Sequence, residues 1–111
     1  MPTDPLDALV AAPRHHTLLL ENERVRVLDT RIAPGETVPL HTHAWPAVYY
    51  VLAYADIIRR DEHGRITFDS RNMPNPLPGQ ALWAAPLAPH TLENVGATEV
   101  HVISVELKQP G

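Results

Sequence analysis

The chain has no cysteine, and it is poor in serine and in basic residues. The missing thiols exclude disulfides, thiolate metal ligands and a cysteine nucleophile, and they agree with a reducing compartment. Ser70 and Ser104 are the two serines, and neither lies in a sequence context typical of a catalytic serine. A glycine-rich phosphate loop is also missing, so nucleotide chemistry is not expected.

Positive charge is scarce: 9 lysines and arginines stand against 13 acidic residues, giving a net charge of −4. We therefore do not expect a nucleic-acid partner. The N-terminal segment has two aspartates and no basic start, unlike a signal peptide. The uncharged run 44–55 is shorter than the ~20 residues that a membrane-spanning helix needs. These features predict a cytoplasmic protein that binds neither nucleic acid nor membrane.

The chain has 12 prolines, and they form clusters in "MPTDP", "NMPNPLPG" and "APLAPH". Proline suits turns and strand entrances and interrupts longer elements, so this distribution favours short strands joined by stiff loops. Strand-like patterns occur at 22–32, 37–43, 47–60, 65–70, 80–85, 91–94 and 99–107. They predict an all-β antiparallel sandwich or barrel. Residues 1–20 are predicted to form an N-terminal arm with a helical turn, and residues 21–108 a single domain.

Two histidines, His41 and His43, lie one residue apart in the predicted strand 37–43. Alternate residues of a strand share a face, so the two imidazoles are expected to point the same way and to bind one metal ion. His90 follows the proline-stiffened "APLAP" and is the best third donor. An H-x-H pair also occurs as ordinary surface or packing residues, so the spacing alone leaves both readings open.

Two spaced segments, "GETVPLHTH" (35–43) and "GQALWAAPLAPHTLEN" (79–94), resemble the two motifs of the cupin superfamily. Within the second, Pro86 is one place late and Leu87 stands where glycine is usual. The resemblance covers about residues 24–107. It implies a small antiparallel β-barrel or jelly roll, the double-stranded β-helix. It also implies a single divalent ion with these ligands: His41, His43 and His90.

The carboxylate that the first cupin motif normally supplies would fall on Ala47 or Val48, of which "YVL" at 50–52 favours Ala47, and its closing glycine would then fall on Tyr54. Three neutral imidazoles leave the full +2 charge on an ion, so we expect a small anionic ligand to complete the site. The resemblance to all-histidine cupins implies a dioxygenase that uses Fe²⁺ and acts on a small carboxylate or dicarbonyl compound. Zn²⁺, Ni²⁺ or Mn²⁺ would instead support an isomerase, lyase or hydrolase. A ligand-binding cupin with a weak or vacant site is the remaining alternative.

Aromatic residues and a further histidine are candidates to line the substrate pocket: Tyr49, Tyr50, Tyr54, Trp83 and His101. Strand parity with His43 favours Tyr49 over Tyr50, and the apolar residues that alternate with His101 suggest that it points inward. The remaining histidines, His15, His16 and His63, are expected to be exposed, and Glu93 to face outward. No catalytic residue is assigned. The resemblance also implies a homodimer, in which the arm at 6–12 and the strand at 24–32 would pair with a second copy.

Overall fold

The computed structural model describes residues 4–108, so the first three residues of the predicted arm lie outside the described residues. The described chain forms one short helix and nine strands: α1 (Ala8–Ala11), β1 (His16–Glu21), β2 (Val25–Ile32), β3 (Thr37–His43), β4 (Ala47–Ala53), β5 (Ile57–Asp61), β6 (Ile66–Asp69), β7 (Ala81–Ala84), β8 (Leu87–Asn94) and β9 (Val100–Leu107). The prediction of an all-β protein is confirmed. None of the helical structure in residues 4–108 is long and apolar enough to cross a bilayer.

The strands form two antiparallel sheets. One has five strands in the order β1-β2-β9-β4-β7, and the other has four in the order β3-β8-β5-β6. Across residues 4–108 the two sheets do not close on each other. Of the two architectures predicted from the sequence, a barrel and a jelly-roll sandwich, the protein therefore has the jelly-roll sandwich.

The hydrophobic core lies between the sheets, because β2 and β9 contribute Ile32 and Val100 from one side and β3 and β5 contribute Val38 and Ile57 from the other. Alternation produces this arrangement: along β2 every second side chain is buried, as expected for a strand with one face on a core. The predicted turn before β3 is confirmed. Gly35 has φ +83°, and the Glu36 amide donates to the carbonyl of Ala33 at 3.0 Å.

The prediction of one long strand over 47–60 is wrong. The chain leaves β4 after Ala53 and enters β5 at Ile57, in the opposite sheet. A strand of that length would extend about 46 Å. The whole domain measures 39 Å along its longest axis, so the run has to cross between layers. Residues 47–55 are uncharged and gave no sign that β4 ends at Ala53, and the crossing at 54–56 contains Asp56.

The N-terminal segment is also more ordered than predicted. Residues 16–21 form β1, the edge strand of the larger sheet. Ahead of it, the Asp7 carboxylate caps α1 by accepting from the Leu9 amide at 3.1 Å. The Thr42 amide donates to the carbonyl of Leu6 at 2.6 Å, which ties the helix to β3. The two segments that were expected to pair with a second copy are thus paired within the chain, since β2 lies between β1 and β9.

Candidate metal centre

The three predicted ligands come together between the sheets. His41 and His43 lie on β3 with their rings 5.0 Å apart, and both residues are buried. His90 lies on β8 directly opposite His41 in the antiparallel register, and their rings are 4.3 Å apart. The local alternation of β3 and the pairing of β3 with β8 therefore place these imidazoles in one cluster.

A fourth imidazole, that of His16, completes this cluster. Its ring lies 5.1 Å from that of His41 and 5.5 Å from that of His43, and the residue is only 5% exposed. One ring nitrogen each of His16, His41 and His43 lie within 4.8 Å of one another. The prediction that His16 is exposed is wrong, because residue 16 begins β1 and faces Thr30 of β2 across the sheet.

The other two histidines that were predicted to be exposed, His15 and His63, differ in their burial. His15 was also predicted to be exposed, but it is buried beside the carbonyl of Arg31, with its Nδ1 3.2 Å from that oxygen. His63 is exposed, as expected. Alternation within "HHTLLL" would have indicated that one of the two adjacent histidines faces inward. Nothing in that stretch shows that the strand packs beside β2.

All four imidazoles of the cluster are oriented by a bond at Nδ1. The acceptors are Ala12 O for His16 at 3.0 Å, Pro39 O for His41 at 2.7 Å, Ala88 O for His90 at 2.7 Å and Glu106 Oε2 for His43 at 2.9 Å. A carbonyl or carboxylate oxygen can only accept, so each Nδ1 carries the hydrogen. In a neutral imidazole this leaves Nε2 with its lone pair, which is the arrangement seen around protein-bound metals.

Burial keeps three of these imidazoles, those of His16, His41 and His90, uncharged. It lowers the pKa of His16 and of His90 to about 4. For His41, burial and the neighbouring His90 and His43 lower the pKa to about 2. Neutral imidazole is the form that binds a metal, so the environment holds these donors ready near neutral pH.

A buried carboxylate lies beside the position where the cupin motif normally has one. Ala47 pairs across the sheet with Glu106 of β9, which is fully buried and bonded to His43. Cross-strand partners have Cβ atoms about 5 Å apart, so a carboxylate at residue 47 would meet that of Glu106. The acid therefore lies behind an imidazole rather than among the donors that surround the candidate ion. Sequence reasoning missed it because β9 is distant in the chain.

Arg26 neutralises part of this buried negative charge. Its Nε donates to Glu106 at 2.6 Å, and its two terminal nitrogens donate to the two oxygens of Asp7 at 2.9 Å each. Burial alone would raise the pKa of both acids. The hydrogen bonds from Arg26, with that from His43 to Glu106, hold the pKa of each below its usual range. The network joins the helix cap to the candidate metal centre.

Two adjacent cavities share part of their lining, and the smaller one contacts the imidazoles. An inner chamber of about 80 Å³ contacts the four histidines. An outer chamber of about 340 Å³ is lined by apolar side chains that include Phe68, Leu82 and Trp83. Tyr49, Tyr54 and Arg59 border both chambers. Of the predicted pocket residues, Tyr49 and Tyr54 thus lie at the junction, and Trp83 borders the outer chamber with most of its ring exposed.

Tyr50 and His101 lie away from these chambers, contrary to their proposed role. Tyr50 is exposed on the outer face of the larger sheet. His101 also faces outward, with its Nε2 2.6 Å from Asp29. Both faces of β9 carry apolar residues, so apolarity did not identify its inner face. That face carries Ser104 and Glu106, whose burial only the packing reveals.

Two residues around His90 have structural roles. Asn94, which ends the second cupin-like segment, is fully buried and donates to the carbonyls of Ile32 and Thr98 at 2.9 Å each. Glu93 faces outward as expected and accepts from Arg60 at 2.8 Å. Neither residue belongs to the donor set.

The fold is similar to that of several solved structures, whereas no family model and no curated protein matches the sequence. A cupin domain from Bordetella pertussis Tohama I aligns with a TM-score of 0.68 and 22% identity, over 85% of this chain and 92% of that one. An RmlC-like cupin from Methanocaldococcus jannaschii aligns at 0.56 and 13%, over 83% and 79%. The polyketide cyclase RemF from Streptomyces resistomycificus aligns at 0.54 and 20%, over 86% and 66%. The chain therefore has the cupin fold, a double-stranded β-helix, with a histidine cluster that can hold a metal ion at its centre.

Proposed function

We propose that this protein is a mononuclear metal-binding cupin that acts on a small carboxylate or dicarbonyl compound. The observation that carries the proposal is the orientation of four buried imidazoles, each with Nδ1 bonded to an acceptor and Nε2 free. His16, His41 and His43 form the tightest set of donors. His90 lies against His41 and is the fourth.

The lining of the cavity favours an iron-dependent dioxygenase. A bound Fe²⁺ ion would supply Lewis acidity toward anionic oxygens and a centre for dioxygen chemistry. No carboxylate among residues 4–108 lines either chamber, so proton abstraction has no acidic side chain to act as base. Burial raises the pKa of Tyr49 to about 12, so its hydroxyl remains a hydrogen-bond donor toward a substrate that arrives as an anion.

A non-redox reaction is the second candidate, and the similarity to the polyketide cyclase RemF favours it. The same imidazoles accept Zn²⁺, Ni²⁺ or Mn²⁺. Elemental analysis and oxygen uptake of untagged protein separate the candidates. About one iron per chain with substrate-dependent oxygen consumption supports the dioxygenase, and a redox-inert metal supports the second candidate. Failure to retain any of these ions after reconstitution would contradict both and leave a ligand-binding protein.

Replacing His43 or His16 with alanine is expected to weaken metal binding. Because each is an inner donor, the loss should reach at least the roughly 10–100-fold that removal of an outer-shell partner costs. Competition with a chromophoric chelator measures it. His63→Ala is the control, since His63 is exposed and lies in the turn between β5 and β6. Unchanged affinity in His16→Ala would reduce the donor set to the three residues of the cupin motifs.

We also propose that two copies associate through the outer face of the five-stranded sheet. One row of paired residues crosses all five strands and is apolar throughout: Leu20, Val27, Val105, Val48 and Trp83. Five strands of up to eight residues span roughly 24 × 26 Å, comparable in area with one side of a standard protein interface. A second copy offers the same apolar row on a face of the same size.

Leu20→Lys is expected to convert this dimer to a monomer, because it places a charge in the apolar row on a residue that is already half exposed. Sedimentation velocity measures the mass. Ile66→Lys is the matched control, since Ile66 is equally exposed but lies on β6 of the other sheet. A wild-type monomer at micromolar concentration, or a dimer that survives Leu20→Lys, would contradict the proposal.

A further inference from the structure

Arg59 borders both chambers and has no acidic partner among residues 4–108. Its guanidinium lies over the ring of Phe68, with Cζ 5.4 Å from the ring centroid. Its Nε is buried and makes no hydrogen bond to a described residue. The adjacent Arg60 faces the other way and donates to Glu93 at 2.8 Å. The two neighbouring arginines therefore differ in their surroundings. Arg60 pairs with the carboxylate of Glu93, whereas Arg59 borders the cavity.

Ser104, which lines the inner chamber, carries a second buried polar atom without a partner. The residue is 1% exposed, and its Oγ has no hydrogen-bond partner within the described chain. Three buried side-chain atoms of residues 4–108 are unpartnered, and two of them, Arg59 Nε and Ser104 Oγ, belong to residues that line this cavity. Buried polar groups are normally hydrogen-bonded because leaving one unpaired costs free energy. Two such unpaired atoms in residues that line one chamber indicate a ligand that supplies hydrogen-bond acceptors.

The charge around the chamber points to an anion. Burial keeps His16, His41 and His90 uncharged, and the two nearby buried acids, Asp7 and Glu106, are both engaged by Arg26. Arg59 is the one arginine or lysine that lines the two chambers described here. It lines the same inner chamber as His90, so its charge lies beside the candidate metal centre.

We infer that Arg59 and Ser104 form the anion-binding subsite for a monocarboxylate or enolate that carries an apolar group. The inner chamber, at about 80 Å³, has room for a head group of a few atoms, since a water molecule takes roughly 30 Å³ of liquid. The larger apolar chamber receives the rest of the molecule, next to Phe68 and Leu82. The inference rests on the proposed function, and it adds the recognition of the substrate by a side chain that is not a metal donor.

Calorimetric titration with phenylacetate and its neutral analogue phenylacetamide tests the inference on zinc-reconstituted protein. The wild type should bind phenylacetate more tightly than the amide, and Arg59→Met should weaken phenylacetate binding by about 10–100-fold, the range of a charged hydrogen bond. Ser104→Ala should weaken it less. Arg60→Met is the matched control and should bind phenylacetate as the wild type does. Arg59→Lys keeps the charge and should recover part of the affinity.

Zinc content measured on the same samples separates this inference from the proposed function. Arg59→Met protein that holds zinc but binds phenylacetate as tightly as the wild type would overturn the subsite and leave the metal centre standing. Protein without zinc that still prefers phenylacetate through Arg59 would support the subsite and contradict the metal centre. Equal binding of acid and amide by the wild type, or no binding of either at millimolar concentration, would overturn the subsite.

Discussion

Acidifying the metal-free protein from about pH 7 to about pH 5 is expected to lower its free energy of unfolding by on the order of 5 kcal/mol. The cause is the buried cluster of His16, His41 and His90, whose pKa values are about 4, 2 and 4 in the folded protein. In the unfolded chain each titrates near its usual value of about 6.5. Between these pKa values the unfolded chain binds about three more protons than the folded protein does, so the stability that the neutral imidazoles provide above pH 6.5 is lost on acidification.

Urea unfolding in the presence of a chelator measures this effect at both pH values. Because a loss of about 5 kcal/mol equals the whole stability of many small domains, the metal-free protein should approach spontaneous unfolding near pH 5. His16→Gln should remove about a third of the pH dependence, and His63→Gln should leave it unchanged. Equal midpoints at the two pH values would show that the imidazoles are not held neutral by burial.

Replacing Arg26 with leucine is expected to lower the free energy of unfolding by about 3–5 kcal/mol, the usual cost of removing one partner from a buried charge network. Arg26 is the common partner of Asp7 and Glu106, and all three residues are buried. Without the guanidinium, two carboxylates would remain in the interior with their charge largely uncompensated. Chemical denaturation at neutral pH measures the loss.

Arg31→Leu is the control for this experiment, because Arg31 lies on the same strand but pairs with Asp29 at the surface, where an ion pair contributes at most about 1 kcal/mol. The pH dependence gives a second readout. In Arg26→Leu the two acids lose the partner that lowers their pKa, so they take up protons more readily as the pH falls. The difference in the free energy of unfolding between wild type and variant should therefore narrow at lower pH. A deficit that stays constant with pH would mean that lost packing, not uncompensated charge, causes the instability.

The features that the sequence predicted well are those that depend on neighbouring residues. Alternation along a strand places His41 and His43 on one face, and the Pro-Gly pair before β3 defines a turn that the structure contains. These follow from backbone geometry over a few residues. The spacing of the two cupin-like segments added the fold and indicated His90 as the third histidine of the cluster.

The features that required the tertiary structure depend on which strands are neighbours. His16 joins the cluster because β1 pairs with β2, and Glu106 lies behind His43 because β9 pairs with β4 at Ala47. The same pairing turns His101 outward. Strand order is a property of the whole chain, since a pairing such as that of β4 with β9 joins segments tens of residues apart and is not indicated by the sequence of either one. The sequence by itself therefore determined an all-β protein with a histidine pair on one strand face. Only the packing of the two sheets decided that four imidazoles and Arg59 line one cavity, with the buried acid Glu106 behind one of those imidazoles.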